Sequence, residues 1–219
     1  LDIGCGAAGK TVFYASKGVK RIVGVEILEK YREEAERLAE EYSMKDKFEF
    51  VCADASKTPF EDETFDTIIM NDAMEHVDEP EKVLEECHRI LKKNGKLYLN
   101  FPPYNHPYGA HLSDAMGMPW VHVFFSESTL IKTYKELVKD LPDGKDRIEF
   151  RISRKPDGTE YFSYINKMTI KRADKILKNS KFNIDYYSEE PLRGFLKYPA
   201  RIPGVKEYLV KMVVCVLRK

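Results

Sequence analysis

Short apolar runs alternate with amphipathic stretches along the first hundred residues of the chain. The apolar runs, each with the length of a buried strand, lie at residues 1–5, 21–27, 48–52, 67–70 and 96–101. Between these runs, apolar residues recur with the spacing of a helix at residues 10–17, 31–42 and 80–93. This alternation is typical of a parallel sheet that is covered by helices.

The regular pattern changes after residue 101. Residues 102–168 are rich in proline, histidine and aromatic residues, and they contain one clear helix, at 127–139, with Ser126 as its N-cap. A helix is then predicted at 169–179, followed by strands at 182–188 and 209–217. We predict one α/β domain over residues 1–219, a doubly wound seven-stranded sheet with residues 102–168 inserted after the fifth strand as a substrate cap.

The amino-acid composition argues against several classes of protein. Thirty-six basic and 36 acidic residues give zero net charge, which argues against a nucleic-acid binder with a uniformly basic surface. The best apolar run, 209–217, is too short for a membrane span. Four cysteines without paired spacing indicate reduced thiols, so we expect a cytoplasmic protein. Because a strand pattern starts at Leu1 and not after a methionine, we expect part of the domain to precede it.

Glycines stand at positions 4, 6 and 9, between the first predicted strand and the first predicted helix. In that context they form a turn that lets the backbone approach a nucleotide, next to the free N–H groups of the helix. Two acids reinforce this interpretation. Glu26 ends the second strand, where a carboxylate can accept ribose hydroxyls, and Asp54 follows the third strand, where it can bind the amine of adenine.

Residues 1–101 resemble the class I S-adenosylmethionine-dependent methyltransferases, in particular the small-molecule branch that includes the ubiquinone and menaquinone enzymes. The resemblance rests on the segments 1–9, 24–26, 53–55, 65–69, 74–77 with Pro80, and 91–97. It implies a methyltransferase with a Rossmann-like sheet in the order 3-2-1-4-5-7-6, the last strand antiparallel. It also implies S-adenosyl-L-methionine as cofactor, S-adenosyl-L-homocysteine as product, and these cofactor-binding residues: Asp2, Gly4, Gly6, Gly9, Glu26, Ile27, Asp54, Ala55 and Asn71.

Other functions share parts of this pattern. An NAD-dependent oxidoreductase also uses a glycine turn and an acid after the second strand, but a carboxylate at Asp2 suits a cationic sulfonium better than an anionic pyrophosphate. A catalytically silent methyltransferase-like subunit is the second alternative, and the intact acids at Glu26 and Asp54 speak against it. Residues 100–104 look like a base-amine methylation motif, but they lie at the end of the fifth strand and not of the fourth, and Phe101 interrupts the motif.

Three of the five histidines, His106, His111 and His122, lie in the predicted cap. Methyl transfer to a hydroxyl or another protonated acceptor needs a base, and histidine titrates near neutral pH. We therefore expect His111, and after it His122, to act as base toward a small-molecule methyl acceptor. The three histidines could instead bind a metal together with Asp72 or Asp114, but their spacing matches no standard ligand pattern, so no metal is expected.

The neutral sum hides an uneven distribution of charge. Residues 193–219 carry seven lysines or arginines against one glutamate, a local +6, so residues 1–192 sum to −6. The basic residues of this tail could bind an acidic partner or an acidic group of the substrate, or they could only keep an outer strand solvated. A second basic stretch, 145–155, has acids between its cations and is predicted to be a solvated strand or hairpin.

Overall fold

The computed structural model describes all residues from 1 to 219, and nine strands occur along the chain. They are β1 (Asp2–Ile3), β2 (Ile22–Glu26), β3 (Phe48–Cys52), β4 (Phe65–Asn71), β5 (Leu91–Phe101), β6 (Ile152–Arg154), β7 (Glu160–Phe162), β8 (Asn183–Pro191) and β9 (Val210–Arg218). Seven of them form one sheet in the order β3-β2-β1-β4-β5-β9-β8, mostly parallel with one antiparallel edge. The predicted α/β Rossmann-like fold and its strand order are confirmed.

Eight α-helices connect and cover the strands. They are α1 (Gly9–Ser16), α2 (Arg32–Glu41), α3 (Pro80–Ile90), α4 (Val121–Phe124), α5 (Glu127–Val138), α6 (Gly144–Arg151), α7 (Ile170–Asn179) and α8 (Lys206–Leu209). Single 3₁₀ turns lie at Glu29–Tyr31, Gly194–Leu196 and Pro199–Arg201. None of the helices combines the length and the apolar character that crossing a membrane requires.

Strand register brings the ends of the first five strands to one edge of the sheet. Cys52 at the end of β3 pairs with Glu26 at the end of β2, and Asn71 at the end of β4 pairs with Asn100 of β5. Strand β1 lies between β2 and β4 and ends just before the glycine turn. In open parallel sheets, ligands bind at this carboxyl edge where the strand order reverses, so the register positions the candidate site.

Small residues let α1 and α2 pack closely beside β3. Ala8, Val12, Ala35, Ala39 and Phe50 form one buried cluster. The alanines carry no side chain beyond Cβ, so the backbones approach each other while Val12 and Phe50 fill the remaining space. The helix that begins with the glycine turn is thereby held against the sheet.

Several predicted elements have different boundaries in the structure, and β5, for example, begins at Leu91 and not at residue 96. Helix α3 ends at Ile90 and not at residue 93, because Leu91 is already extended and pairs with Phe65 across β4 and β5. The basic stretch predicted as a strand or hairpin is mostly helix α6, and only residues 152–154 form a strand. By contrast, α5 begins as predicted, with the hydroxyl of Ser126 accepting a hydrogen bond from the backbone N–H of Thr129.

The chain divides into two compact units. The first comprises residues 1–101, 175–188 and 214–219, and the second comprises 102–174 and 189–213. The second unit has its own core, formed by Leu112, Ile131, Tyr134, Val138 and Phe162 with their neighbours. It contains the whole predicted cap, 102–168, together with residues 189–213, which the sequence analysis had not grouped with it. That this unit covers a substrate stays a prediction.

Candidate functional site

The glycine turn after β1 has the left-handed backbone that favours glycine. Gly4 has φ +72° and Gly6 has φ +50°. A Cβ at Gly4 would lie 2.8 Å from the Cβ of Ala73, so Gly4 is also needed for close packing. A Cβ at Gly6 or Gly9 would meet nothing within 4 Å. The turn therefore packs tightly on one side and presents open backbone on the other.

Glu26 connects the glycine turn with the end of β2. Its Oε2 accepts a hydrogen bond from the backbone N–H of Gly6 at 3.0 Å. Its Oε1 accepts from the backbone N–H groups of Ile27 at 3.0 Å and Leu28 at 3.1 Å. Because a carboxylate has about four acceptor positions, these bonds orient Glu26 and still leave room for a hydroxyl donor.

The predicted adenine-binding residues lie beyond β2 and β3. Ile27 exposes 64% of its surface, which is unusual for an isoleucine and provides an apolar face beside Glu26. Asp54 is exposed, and its Oδ1 accepts a hydrogen bond from the backbone N–H of Ser56 at 2.7 Å, which fixes the turn that contains Ala55. An apolar surface and a fixed carboxylate at adjacent strand ends suit a base with an exocyclic amine.

Asp2 is buried, with 4% of its surface exposed, and its side chain is bonded within the protein. Its Oδ2 accepts a hydrogen bond from the hydroxyl of Thr11 in α1 at 2.6 Å. Burial raises the pKa of Asp2, and the Thr11 hydrogen bond opposes that rise. The carboxylate of Asp2, which is predicted to bind the cofactor, thus connects β1 directly with the helix after the glycine turn.

A polar network occupies the end of β4. The side-chain amide of Asn71 donates to the hydroxyl of Tyr14 at 2.9 Å, and its Oδ1 accepts from the amide of Asn100 at 2.8 Å. Asp72 follows with φ 52° and forms an ion pair with Lys10 at 2.8 Å, which raises the pKa of Lys10. Asn71 is therefore held from both sides and orients the backbone after β4.

A buried acid follows this network. Glu75 exposes 1% of its surface, and burial raises its pKa to about 8. The charge of Asp72 raises this pKa further, whereas that of Lys10 lowers it. Oε1 of Glu75 lies 3.8 Å from Nε2 of His76. At neutral pH the side chain of Glu75 is mostly a neutral carboxylic acid, which can donate a proton as well as accept a hydrogen bond.

The histidines of the second unit have unequal surroundings. Both ring nitrogens of His122 are buried without a well-formed hydrogen bond, and burial lowers its pKa to about 4. The His122 ring lies 4.8 Å from that of Tyr104. His106 accepts a hydrogen bond from the Tyr108 backbone N–H at 3.0 Å, and burial lowers its pKa as well. His111 is partly exposed in a left-handed turn, with φ 51°.

A cavity of about 320 Å³ lies at the opposite edge of the sheet. It is lined by residues at the starts of β2 and β4, Ile22 and Phe65, and by Tyr14 and Lys17 of α1. None of the predicted cofactor residues lines this cavity. The glycine turn does not line it, whereas Tyr14, whose hydroxyl accepts from Asn71, lines the cavity and also belongs to the network at the end of β4.

The residues of the site that were not predicted to bind the cofactor include Lys10, Thr11, Tyr14 and Asn100. Three of them lie on α1, directly after the glycines, where helix periodicity assigns positions to a face but does not identify their partners. In the sequence, Asn100 stands out only as part of the motif that resembles base-amine methylation. In the structure its amide supports Asn71, and its backbone and side-chain oxygens both accept from the backbone N–H of Asp72.

The comparisons with known proteins agree with this geometry. Residues 1–99 match the family model described as a methyltransferase domain. The chain is 32% identical over 132 residues to a sterol 4-C-methyltransferase of Caenorhabditis elegans, a match that covers 56% of this chain and 39% of the relative. It is 26% identical over 129 residues to a ubiquinone biosynthesis O-methyltransferase of Coxiella burnetii, which covers 59% of this chain and 53% of the relative.

The solved structures show the same fold. A SAM-dependent methyltransferase structure from Methanosarcina mazei superposes with a TM-score of 0.61 at 24% identity, covering 100% of this chain and 90% of that one. The chain spans about half, or less, of the length of the curated relatives above. The matched residues 1–99 contain the glycine turn, Glu26, Asp54 and Asn71. Residues 1–99, which carry the candidate site, thus match the methyltransferase domain family over less than half of the 219 residues of the chain.

Proposed function

We propose that this chain binds S-adenosylmethionine along the carboxyl edge of its sheet and transfers the methyl group to a small molecule. The observation that carries the proposal is the carboxylate of Glu26, which is bonded to the backbone N–H groups of Gly6, Ile27 and Leu28. This arrangement fixes an acceptor for ribose hydroxyls between an open glycine turn and an exposed apolar side chain. A nucleoside fits such a site in shape and chemistry.

The roles proposed for the other cofactor-binding residues follow the order of the strands. Ile27 would pack on the adenine ring, Asp54 with Ala55 would bind its edge, and Asn71 would hold the methionyl end. The glycines at positions 4, 6 and 9 would allow the backbone to approach the ribose and the methionyl group. Since the carboxylate of Asp2 is bonded to Thr11, Asp2 would act by holding the turn and by its negative charge near a cationic ligand.

When bound, the cofactor supplies a methyl group on a positively charged sulfur, and the sulfur keeps the electron pair of the broken bond to give a neutral thioether. The protein has to align the acceptor with that bond, exclude water and take up the acceptor's proton where it has one. Glu26 would fix the ribose and Asn71 the methionyl end, on the two sides of the sulfur, and together they would set the direction of the transferred methyl group.

The acceptor is proposed to be a small molecule that is methylated at oxygen or carbon. Two similar proteins are named for such reactions, a sterol 4-C-methyltransferase and a ubiquinone biosynthesis O-methyltransferase. The second unit carries exposed aromatic side chains in the segment after β5, among them Tyr108, Phe124 and Phe125. These are suited to contact an apolar or aromatic ring.

His111 is the proposed base, and His122 is the second candidate. His111 is partly exposed, which a base that exchanges protons with substrate requires. His122 is neutral at pH 7, and its pKa of about 4 makes it a weak proton acceptor. Its contact with Tyr104 suits a wall residue better than a base.

A methyl-transfer screen over phenols, quinols, carboxylic acids and amines tests the activity, with S-adenosylhomocysteine formation as the readout. We expect turnover with at least one oxygen or carbon acceptor. His111→Ala should then lower kcat about 10²-fold or more, while His122→Ala should change kcat less. Turnover by His111→Ala at the wild-type rate would remove His111 as base. Cofactor binding without turnover on any acceptor class would favour a catalytically silent subunit.

A further inference from the structure

The segment between β8 and β9 exposes apolar side chains to an unusual degree. Phe195 and Tyr198 expose 79% and 78% of their surfaces, the two highest values among the large apolar residues of the chain. Ile202 exposes 53%, and Val205 and Tyr208 are exposed as well. Clustered exposed apolar residues on a folded protein usually mark a surface that contacts something else.

These side chains belong to one closed loop, residues 193–208. The backbone N–H of Leu192 donates to the carbonyl of Leu209 at 2.8 Å, which holds the two ends of the loop together. Ala200, near its middle, is buried and anchors it. Prolines at 199 and 203 restrict the backbone between these points. The exposure of Phe195 and Tyr198 is therefore a property of an anchored loop and not of a loose end.

The loop is also positively charged on its outside. Arg193, Lys197 and Arg201 are exposed, and no carboxylate forms an ion pair with them. The remaining charges of the loop face the protein. Lys206 pairs with Glu189 at 2.5 Å. Glu207, the only acid of the loop, accepts hydrogen bonds at 2.9 Å from the backbone N–H groups of Ile170 and Lys171 at the start of α7. Three cations thus remain for an external partner.

We infer that the 193–208 loop docks the protein onto the surface of an anionic lipid membrane. Phe195 and Tyr198 would enter the boundary between headgroups and acyl chains, and the cations at 193, 197 and 201 would contact lipid phosphates. A lipid surface accepts apolar and cationic side chains at the same time, which matches their alternation in this loop.

The architecture of the loop favours a lipid surface over an acidic protein. Its regular structure consists of two single 3₁₀ turns and the four-residue helix α8. It therefore offers neither a strand edge for an added strand nor a long helix for a groove, the usual ways in which proteins dock on a short segment.

Co-sedimentation with vesicles tests the inference. The full chain should bind vesicles of phosphatidylcholine mixed with phosphatidylglycerol, bind phosphatidylcholine alone far more weakly, and lose affinity as salt is raised. The triple variant Arg193→Glu, Lys197→Glu, Arg201→Glu should lose about 100-fold in affinity, at about fivefold for each cation. Phe195→Ser with Tyr198→Ser should lose about tenfold or more.

The matched control changes three exposed lysines elsewhere, Lys175→Glu, Lys178→Glu and Lys181→Glu, with the same change in net charge. It should keep most of the affinity. An equal loss in this control, or no binding of the wild type to anionic vesicles, would overturn the inference. So would loop variants that bind vesicles normally but elute as a smaller species, because the loop would then join copies of the chain.

Phe195→Trp gives a readout that does not depend on a disruptive variant. Its fluorescence, after subtraction of the wild-type signal from Trp120, should shift to the blue when anionic vesicles are added. An unchanged spectrum would contradict insertion. Binding of S-adenosylhomocysteine without vesicles is measured in parallel on every variant. A wild type that binds vesicles but not this ligand would refute the proposed function and leave the membrane inference standing.

Discussion

The hydrogen bond between Thr11 and Asp2 allows a direct test of how the glycine turn is held. Thr11 is fully buried and Asp2 nearly so, and the two oxygens are 2.6 Å apart. Thr11→Val keeps the shape of the side chain and removes the donor. A hydrogen bond to a charged group contributes about 1.5–3 kcal/mol, so the variant should unfold about 3–12 °C lower, at 2–4 °C per kcal/mol for a domain of this size.

The effect should depend on pH in a defined direction. The pKa of Asp2 is raised by burial, so the folded state loses stability as pH rises through that pKa and Asp2 ionises. Thr11 lowers this cost because it donates to the carboxylate. The deficit of Thr11→Val should therefore be larger at pH 8 than at pH 3, because pH 3 lies below the ordinary aspartate pKa and hence also below the raised pKa of Asp2, so the side chain is mostly protonated in both the folded and the unfolded state.

Thermal unfolding followed by circular dichroism at the two pH values measures both effects. Thr11→Ser is the control, because it keeps the hydroxyl and removes only a methyl group. It should lose about 1 kcal/mol or less at either pH. Equal melting temperatures for the Val and Ser variants, or a Val deficit that does not change with pH, would refute the role given to this hydrogen bond.

Three further predictions concern the turn, the buried acid and the second core. Gly4→Ala should destabilise the fold more than Gly6→Ala. Both variants incur about 1–2 kcal/mol of left-handed backbone strain, but only the new Cβ at position 4 meets Ala73, at 2.8 Å. Equal losses in the free energy of unfolding, measured by denaturant titration, would contradict this. Burial raises the pKa of Glu75 from 4.5 to about 8. Between these two pH values the free energy of unfolding of the wild type should therefore fall, relative to that of Glu75→Gln, by about 1.4 kcal/mol per pH unit. A difference that does not depend on pH would count against a buried neutral acid. Val138→Ala, at a fully buried position, should cost about 2 kcal/mol in chemical unfolding, and a cost near zero would argue against tight packing of the second core.

Elements with clear periodicity were predictable from the sequence. Strand β3 occupies residues 48–52 as predicted, because Lys47 precedes its apolar run and Asp54 follows it one residue after Ala53. The start of α5 was predictable from Ser126, whose side chain caps the helix by a local rule. The end of α3 was not, because Leu91 leaves the helix to pair with Phe65, a contact that the local pattern does not contain.

In the candidate site, the positions of the residues were predictable from the sequence, but their contacts were not. The positions of Glu26 and Asp54 follow from strand order, so their place at the carboxyl edge could be predicted. Their hydrogen-bond partners could not, because a bond such as that from Gly6 to Glu26 joins residues 20 positions apart. The same holds for His122: the sequence shows a titratable side chain, whereas only the packing around it shows that burial lowers its pKa.

The prediction that fell furthest from the structure concerns the basic stretch at 145–155. It was expected as a strand or hairpin, but residues 144–151 form helix α6. Arg147 of this helix forms ion pairs with Asp143 at 2.8 Å and with Asp114 at 3.1 Å. Arg147 is therefore bound by carboxylates of the second unit that lie outside the basic stretch.

Calorimetric titration with S-adenosylhomocysteine tests the central claim most directly. The wild type should bind this ligand and S-adenosylmethionine, and should not bind NAD. Glu26→Gln offers one acceptor oxygen where the carboxylate offers two, so its affinity should fall about 10- to 100-fold. Glu33→Gln, at an exposed position on α2, should bind like the wild type. Binding of NAD, failure to bind either sulfur compound, or unchanged affinity in Glu26→Gln would contradict the account.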